Sequence, residues 1–172
     1  MLKLLGAGMV VLAGGLAGMQ AGRSYARRPV EIRALMGALL LLQTEIGYAL
    51  APLGEALERV AARADPAVAL LFERAAAFLR ENPGATGAEA LAAAVAAASP
   101  KLSLREEDLA ALRDLGAALG NSDREDQVRH LTLALERLRV AGTAAEADAR
   151  RYVRLWNTLG FCGGLGLAIL LS

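Results

Sequence analysis

The sequence predicts an all-α protein: an antiparallel bundle of about six helices, flanked by apolar N- and C-terminal helices long enough to span a membrane. Three observations predict it. The apolar share is 55% while aromatics are only 4%, so Ala and Leu, both helix formers, carry it. Val and Ile together number twelve in 172 residues, so strand formers are scarce. Helix-start and helix-stop residues also recur along the whole middle of the chain.

The first element is the uncharged run Leu4–Ala21, LLGAGMVVLAGGLAGMQA. The last is its counterpart Leu155–Leu171, LWNTLGFCGGLGLAILL. As helix each is roughly 26 Å long, close to the bilayer core. Gly and Ala in both permit close helix contact in lipid. A cleaved signal peptide is the other reading of the first run, but Arg23, Arg27, Arg28 and Arg33 follow at once and resist export. A buried core helix is the other reading of the second. Arg23, Arg27 and Arg28 follow the first run, and Arg150, Arg151 and Arg154 precede the second. The positive-inside rule then puts both termini outside and the middle in the cytoplasm. The expected organisation is a span over 1–21, a cytoplasmic helical domain over 22–154 and a span over 155–172.

Within the middle, Pro29 suits the first position of a helix to about residue 50. Its stripe is Ile32, Leu35, Leu39, Leu42 and Ile46, and Leu40 and Leu41 add apolar surface on other faces. A helix apolar nearly all round lies centrally in a bundle or packs against a second partner. Pro52 opens a short helix over 52–64. Asp65-Pro66 caps and opens 66–81. Thr86-Gly-Ala-Glu89 is a capping box for 87–98, and Ser103-Leu-Arg-Glu106 is one for 104–119, which Gly120 stops. Ser122-Asp-Arg-Glu125 is a third box. It opens a last helix that runs through Arg150–Arg154 into the second apolar run, with Gly142 as its weak point. Val128, Leu131, Leu135 and Leu138 mark the core face of this helix, while Asp123, Gln127, His130, Ala134 and Arg137 fall on another, mostly polar stripe.

Chemistry is thinly provided. The one histidine, His130, and the one cysteine, Cys162, cannot assemble a zinc site. There is no GxSxG elbow and no GxxxxGK[ST] loop, so no catalytic residue, metal or cofactor is assigned. The net charge of +1 gives no basic surface for nucleic acid. Glu45, if buried, needs a cation, and Arg124 at the core edge of its helix is a candidate.

The stretches MLKLLGA, RRPVEIRAL, LQTEIGYALAPLGEAL and LGNSDREDQVRHLTLAL, followed by the glycine-rich end, resemble the stage III sporulation protein AB family of endospore-forming bacteria. The resemblance covers nearly the whole length. It implies a cytoplasmic domain like the helical platform domain of type II secretion (its F component) and type IV pilus systems, on the mother-cell side of the transenvelope channel to the forespore. It implies no catalytic activity. The expected role is to couple a cytoplasmic secretion-type ATPase, stage III sporulation protein AA, to the membrane assembly and the other channel components. Glu45, Tyr48 and Pro52 in the first motif, and Asp123, Arg124, Gln127 and His130 in the second, carry over as partner-binding candidates. The glycine faces of the spans would associate with each other or with neighbouring subunits in a homo-oligomer. Two other classes stand beside this one: a tethered enzyme built on His130, and a scaffolding or pore-associated membrane protein with no ATPase contact.

Overall fold

The computed structural model describes the backbone of residues 2–49, 51–120 and 122–171, and the side chains from Tyr25 to Tyr152 except Leu50 and Asn121. The helices are α1 (Leu2–Gly47), α2 (Leu53–Arg63), α3 (Pro66–Glu81), α4 (Gly87–Ala98), α5 (Glu106–Ala118) and α6 (Arg124–Leu171), with a 3-10 turn over Ser99–Lys101 between α4 and α5. Among the described residues there are six α-helices and no strand, an all-α architecture.

The expected start at Pro29 is not found. Pro29 lies inside α1, which is continuous from Leu2. A proline there removes the hydrogen bond to the carbonyl of Tyr25, four residues back. The helix is held across that gap by tertiary contacts: Arg28 and Glu31, on either side of Pro29, are both bound to the α5 region. The expected spans over 1–21 and 155–172 rest on side chains outside the described residues. Among the described residues no helix is long and apolar enough to cross a membrane.

α1 and α6 run antiparallel. Tyr25 stacks on Tyr152 with ring centroids 4.0 Å apart. Further along, Arg33 donates to Glu146 at 2.9 Å, and Gln43 donates to Thr132 at 2.9 Å. α2 to α5 form the rest of the bundle in sequence, each packed on the next, with α1 also touching α2 and α3. The core is Leu35, Leu39 and Leu42 of α1, Leu57 of α2, Leu71 and Phe72 of α3, Leu112 and Leu115 of α5, and Leu131 and Leu138 of α6. Each such side chain, fully buried, contributes about 1.5–3 kcal/mol. Alanines 75, 90, 94 and 98 fill positions where larger side chains would force α3 and α4 apart. The tightest approach is at Gly87, where an added Cβ would stand 2.3 Å from the carbonyl oxygen of Leu119.

Two caps are as the sequence predicts. Asp65 accepts from the Ala67 amide at 2.9 Å, and Thr86 and Glu89 form a reciprocal box. Two differ. Ser103 does not cap α5; its amide donates to Glu31 at 2.6 Å, and Asp108 instead accepts the Arg105 amide at 2.8 Å. The cap of α6 is Asp123, which accepts from Asp126 N–H at 2.8 Å. Ser122 turns its hydroxyl back to the Ala118 carbonyl. At α6 a carboxylate, the stronger acceptor, caps in place of serine, whereas at α5 Asp108 supplies the reciprocal bond to the amide of the N-cap residue Arg105. Ala134 also departs from its expected polar stripe: it is buried, at 4% exposure.

Candidate functional site

The α1–α6 pairing brings the two sequence motifs to one end of the bundle. Gly47 ends α1, and Leu53 begins α2. Beside that junction, Gly120 adopts φ +83° and reverses the chain from α5 into α6. A left-handed conformation of this kind favours glycine. Asp123 caps α6, and Gln127 closes the corner by donating to the Ser122 carbonyl at 2.8 Å.

Two shallow grooves meet at this corner. One, of about 600 Å³, is lined by Gln43, Thr44, Gly47, Tyr48, Arg124, Glu125 and Val128. The other, about 240 Å³, is lined by Ile46, Ala51, Pro52, Leu53, Gly120, Arg124 and Gln127. Arg124 stands between them. Tyr48 is 87% exposed. Neither Arg124 nor Glu125 makes an ion pair among the described residues. Tyr and Arg are among the residue types enriched at protein-binding hot spots.

The seven candidates thus divide. Tyr48, Pro52, Arg124 and Gln127 share the corner. Asp123 lies on an adjoining acidic depression with Glu125, Asp126 and Arg129. His130 stands one turn further on, with Nε2 3.6 Å from Asp126 Oδ2 and its side chain 37% exposed. Glu45 is the one that moves away. Its carboxylate meets Arg59 at 3.0 Å and Arg63 at 3.8 Å, both on α2, and not Arg124. The reason is angular: Glu45 projects from the α2 side of α1, whereas Arg124 approaches from the α6 side.

The opposite end of the bundle holds a cluster that sequence reasoning missed. Arg28 is 3% exposed and grips Asp108 with two bonds of 2.9 Å, Nε to Oδ2 and Nη2 to Oδ1. The same Nη2 reaches Glu107 at 2.8 Å. Its pKa is raised further, first by the Asp108 hydrogen bond and then, against the cost of burial, by the charges of Asp108 and Glu107. Glu31, also 3% exposed, faces Arg27 at 3.9 Å and takes the Ser103 amide. Arg105 completes the group, bonded to Asp148 at 3.0 Å and lying 5.9 Å over the Tyr25 ring. The sequence did carry a signal: Arg28 falls seven residues before Leu35, on the core stripe.

Among the described residues no three His, Cys, Asp or Glu side chains gather as metal ligands. One end of the bundle thus gathers Tyr48, Pro52, Arg124 and Gln127, and the other is held by the buried Arg28–Asp108 pair.

Comparison with known proteins agrees with the sequence resemblance. The chain matches the family profile of stage III sporulation protein AB over residues 3–172. It is 34% identical to Stage III sporulation protein AB of Bacillus subtilis (strain 168) over 172 residues, 99% of each chain. A solved structure of a stage III sporulation protein AB superposes with a TM-score of 0.66 at 30% identity, covering 72% of this chain and 96% of that one. The fold, the ordered motifs and the full-length match lead to one conclusion: the chain belongs to the stage III sporulation protein AB family.

Proposed function

We propose that this protein is a non-enzymatic membrane platform of the sporulation channel between mother cell and forespore. In this reading the runs 1–21 and 155–172 are two spans, and 22–154 is the cytoplasmic domain. The corner of Tyr48, Pro52, Arg124 and Gln127, with Asp123 and His130 beside it, docks a cytoplasmic secretion-type ATPase. The observation that carries the reading is the antiparallel register of α1 and α6. Both apolar runs continue from the Tyr25–Tyr152 end, and both motifs sit at the other. The helix from Tyr25 to Gly47 is about 33 Å long at 1.5 Å per residue. A partner at the corner would thus act on helices that lead directly to the spans.

The test is a titration of the partner ATPase against residues 22–154, with and without nucleotide. Saturable binding weakened at least tenfold by Asp123→Lys or Tyr48→Ala, with the fold unchanged by circular dichroism, supports docking at the corner. Undiminished binding by both variants moves the interface elsewhere. No binding by the full chain in vesicles leaves a scaffold without ATPase contact.

A further inference from the structure

The two ends of the bundle differ in the sign of their free charge. At the corner, the start of α6 carries Asp123, Glu125 and Asp126 against Arg124 and Arg129. At the Tyr25–Tyr152 end the carboxylates are engaged internally. Asp108 and Glu107 hold Arg28, and Asp148 holds Arg105 at 3.0 Å. Glu31 is 3% exposed and accepts the Ser103 amide. This pairing occupies Arg28 and Arg105 and leaves three arginines facing outward. Arg27 has a side chain 70% exposed and stands 3.9 Å from the already engaged Glu31. Arg150 and Arg151 are exposed and make no ion pair among the described residues. Each of the three lies within two residues of a stacked tyrosine, about 3 Å of helix rise. They form a basic collar at one level of the bundle.

We propose that this collar binds the headgroups of anionic phospholipids. The proposal rests on the membrane reading above, and three observations select a lipid. The first is spacing. Arg23 stands one turn before Arg27 in α1, and Arg154 stands one turn after Arg150 in α6. Like charges four residues apart on a helix repel, and no carboxylate occurs in residues 22–30 or 149–154 to separate them. An external anion relieves that repulsion. The second is chemistry. The guanidinium fork matches phosphate oxygens, and tyrosine rings with a polar tip suit the headgroup layer. The third is place. Both apolar runs continue from the level of the collar, so it meets the headgroups without the domain turning over. The acidic start of α6 is held at the far end, about 33 Å away along α1, out of reach of an anionic surface.

The strength expected is modest per residue. Each Arg near an anionic leaflet gains about fivefold in association. A headgroup touching one or two of these arginines is thus favoured roughly five- to twenty-fivefold over a zwitterionic one. Salt weakens the preference, because exposed charges are screened beyond about 8 Å at physiological ionic strength.

The test uses the full chain in vesicles of phosphatidylglycerol and phosphatidylcholine in equal parts, with one or the other brominated on its acyl chains. Trp156, the single tryptophan, falls four residues after Tyr152, and brominated neighbours quench it. Phosphatidylglycerol is expected to quench as though enriched at least about fivefold around the chain. Arg150→Gln with Arg151→Gln breaks no described ion pair and should at least halve the enrichment; adding Arg27→Gln should abolish it, with far-UV circular dichroism unchanged. A control triple, Arg74→Gln, Arg80→Gln and Arg139→Gln, removes the same charge from exposed positions elsewhere and should keep it. Free glycerol phosphate at matched ionic strength should not compete. Four results would each overturn the proposal. No enrichment in the native chain would leave the collar facing an acidic protein. Enrichment that survives the collar variants would place the lipid elsewhere. Equal loss in the control triple would reduce the effect to net charge. Loss to free glycerol phosphate would make the collar a site for a soluble anion. Flotation separates the two levels: a chain that floats and is quenched equally by both lipids defeats the collar alone, and one that neither floats nor is quenched defeats the membrane reading and the collar with it.

Discussion

Arg28→Met is the sharpest perturbation of this fold. The wild-type guanidinium makes three bonds to two carboxylates, two of them to an Asp108 side chain with 0% exposure. Removing the cation leaves Glu107 nearly unaffected, because its side chain is 64% exposed and water solvates it. Asp108 keeps only the Arg105 amide. A buried carboxylate stripped of its cation costs about 3–5 kcal/mol. That is a large part of the 5–15 kcal/mol that holds a domain together. The matching double variant, Arg28→Met with Asp108→Leu, removes both charges and should recover most of the loss. What it does not recover is the acceptor for the Arg105 amide at the start of α5, worth about 0.5–2 kcal/mol. The assay is urea unfolding of residues 22–154 by far-UV circular dichroism. With a slope of about 1–3 kcal/mol/M, the single variant should lower the midpoint by at least about 1 M, and the double variant by much less. A double variant as weak as the single would refute the assignment of this energy to charge pairing. The raised pKa of Arg28 fixes the pH sign. A cation whose folded pKa is raised keeps its full contribution below its unfolded value and loses it only as pH rises through the folded one. The clamp is therefore pH-independent through the neutral range.

The remaining predictions address other parts of the fold. Gly87→Ala should destabilise by about 1–3 kcal/mol, because the new methyl would sit 2.3 Å from backbone, whereas Gly54→Ala has open space and should be neutral or stabilising; the same urea curves decide. Glu89 is held below the usual glutamate range by the Thr86 amide and hydroxyl it accepts from. Its contribution is present above the unfolded pKa and lost as pH falls through the lowered folded value, so the stability gap between wild type and Glu89→Gln should close in acid, as thermal melts across pH would show. Glu45→Gln and Arg59→Gln should each cost about 0.2–1 kcal/mol and couple in a double-mutant cycle, whereas Glu45→Gln with Arg124→Gln should be additive.

The elements with local signals were legible. Asp65-Pro66 and the Thr86–Glu89 box gave the starts of α3 and α4, because such caps act within four residues. The core stripe of α1 read off its spacing for the same reason. What failed depended on tertiary partners. Pro29 looked like a helix start because nothing local says that Arg28 and Glu31 will be tied down 70 to 80 residues away. Arg28 itself read as a charge flanking a span. Glu45 was assigned a cation across the bundle, although Arg59, also on the chain's next helix, lies only fourteen residues ahead. The corner of Tyr48 and Arg124 was marked as two motifs. That they adjoin follows only from the α1–α6 register, which no single segment encodes.

That register also bears on how motion would pass along the molecule. Both long helices carry a weak point at one level of the bundle: α1 lacks a hydrogen bond at Pro29, and α6 carries Gly142 in its interior. α6 is nevertheless continuous across Gly142. The two weak points lie at nearly the same level, because Gly142 packs against Ile32, one turn beyond Pro29. At that level the helices are cross-linked by Arg33 and Glu146, and α1 is bonded to α5 through Arg28. A bend in α1 would have to break the buried Arg28–Asp108 pair, and a bend in α6 would have to strip Gly142 from Ile32. Weakness in one helix is thus braced by the other and by α5. The clamp is placed at the level where both helices are weakest, and it joins them to α5 there.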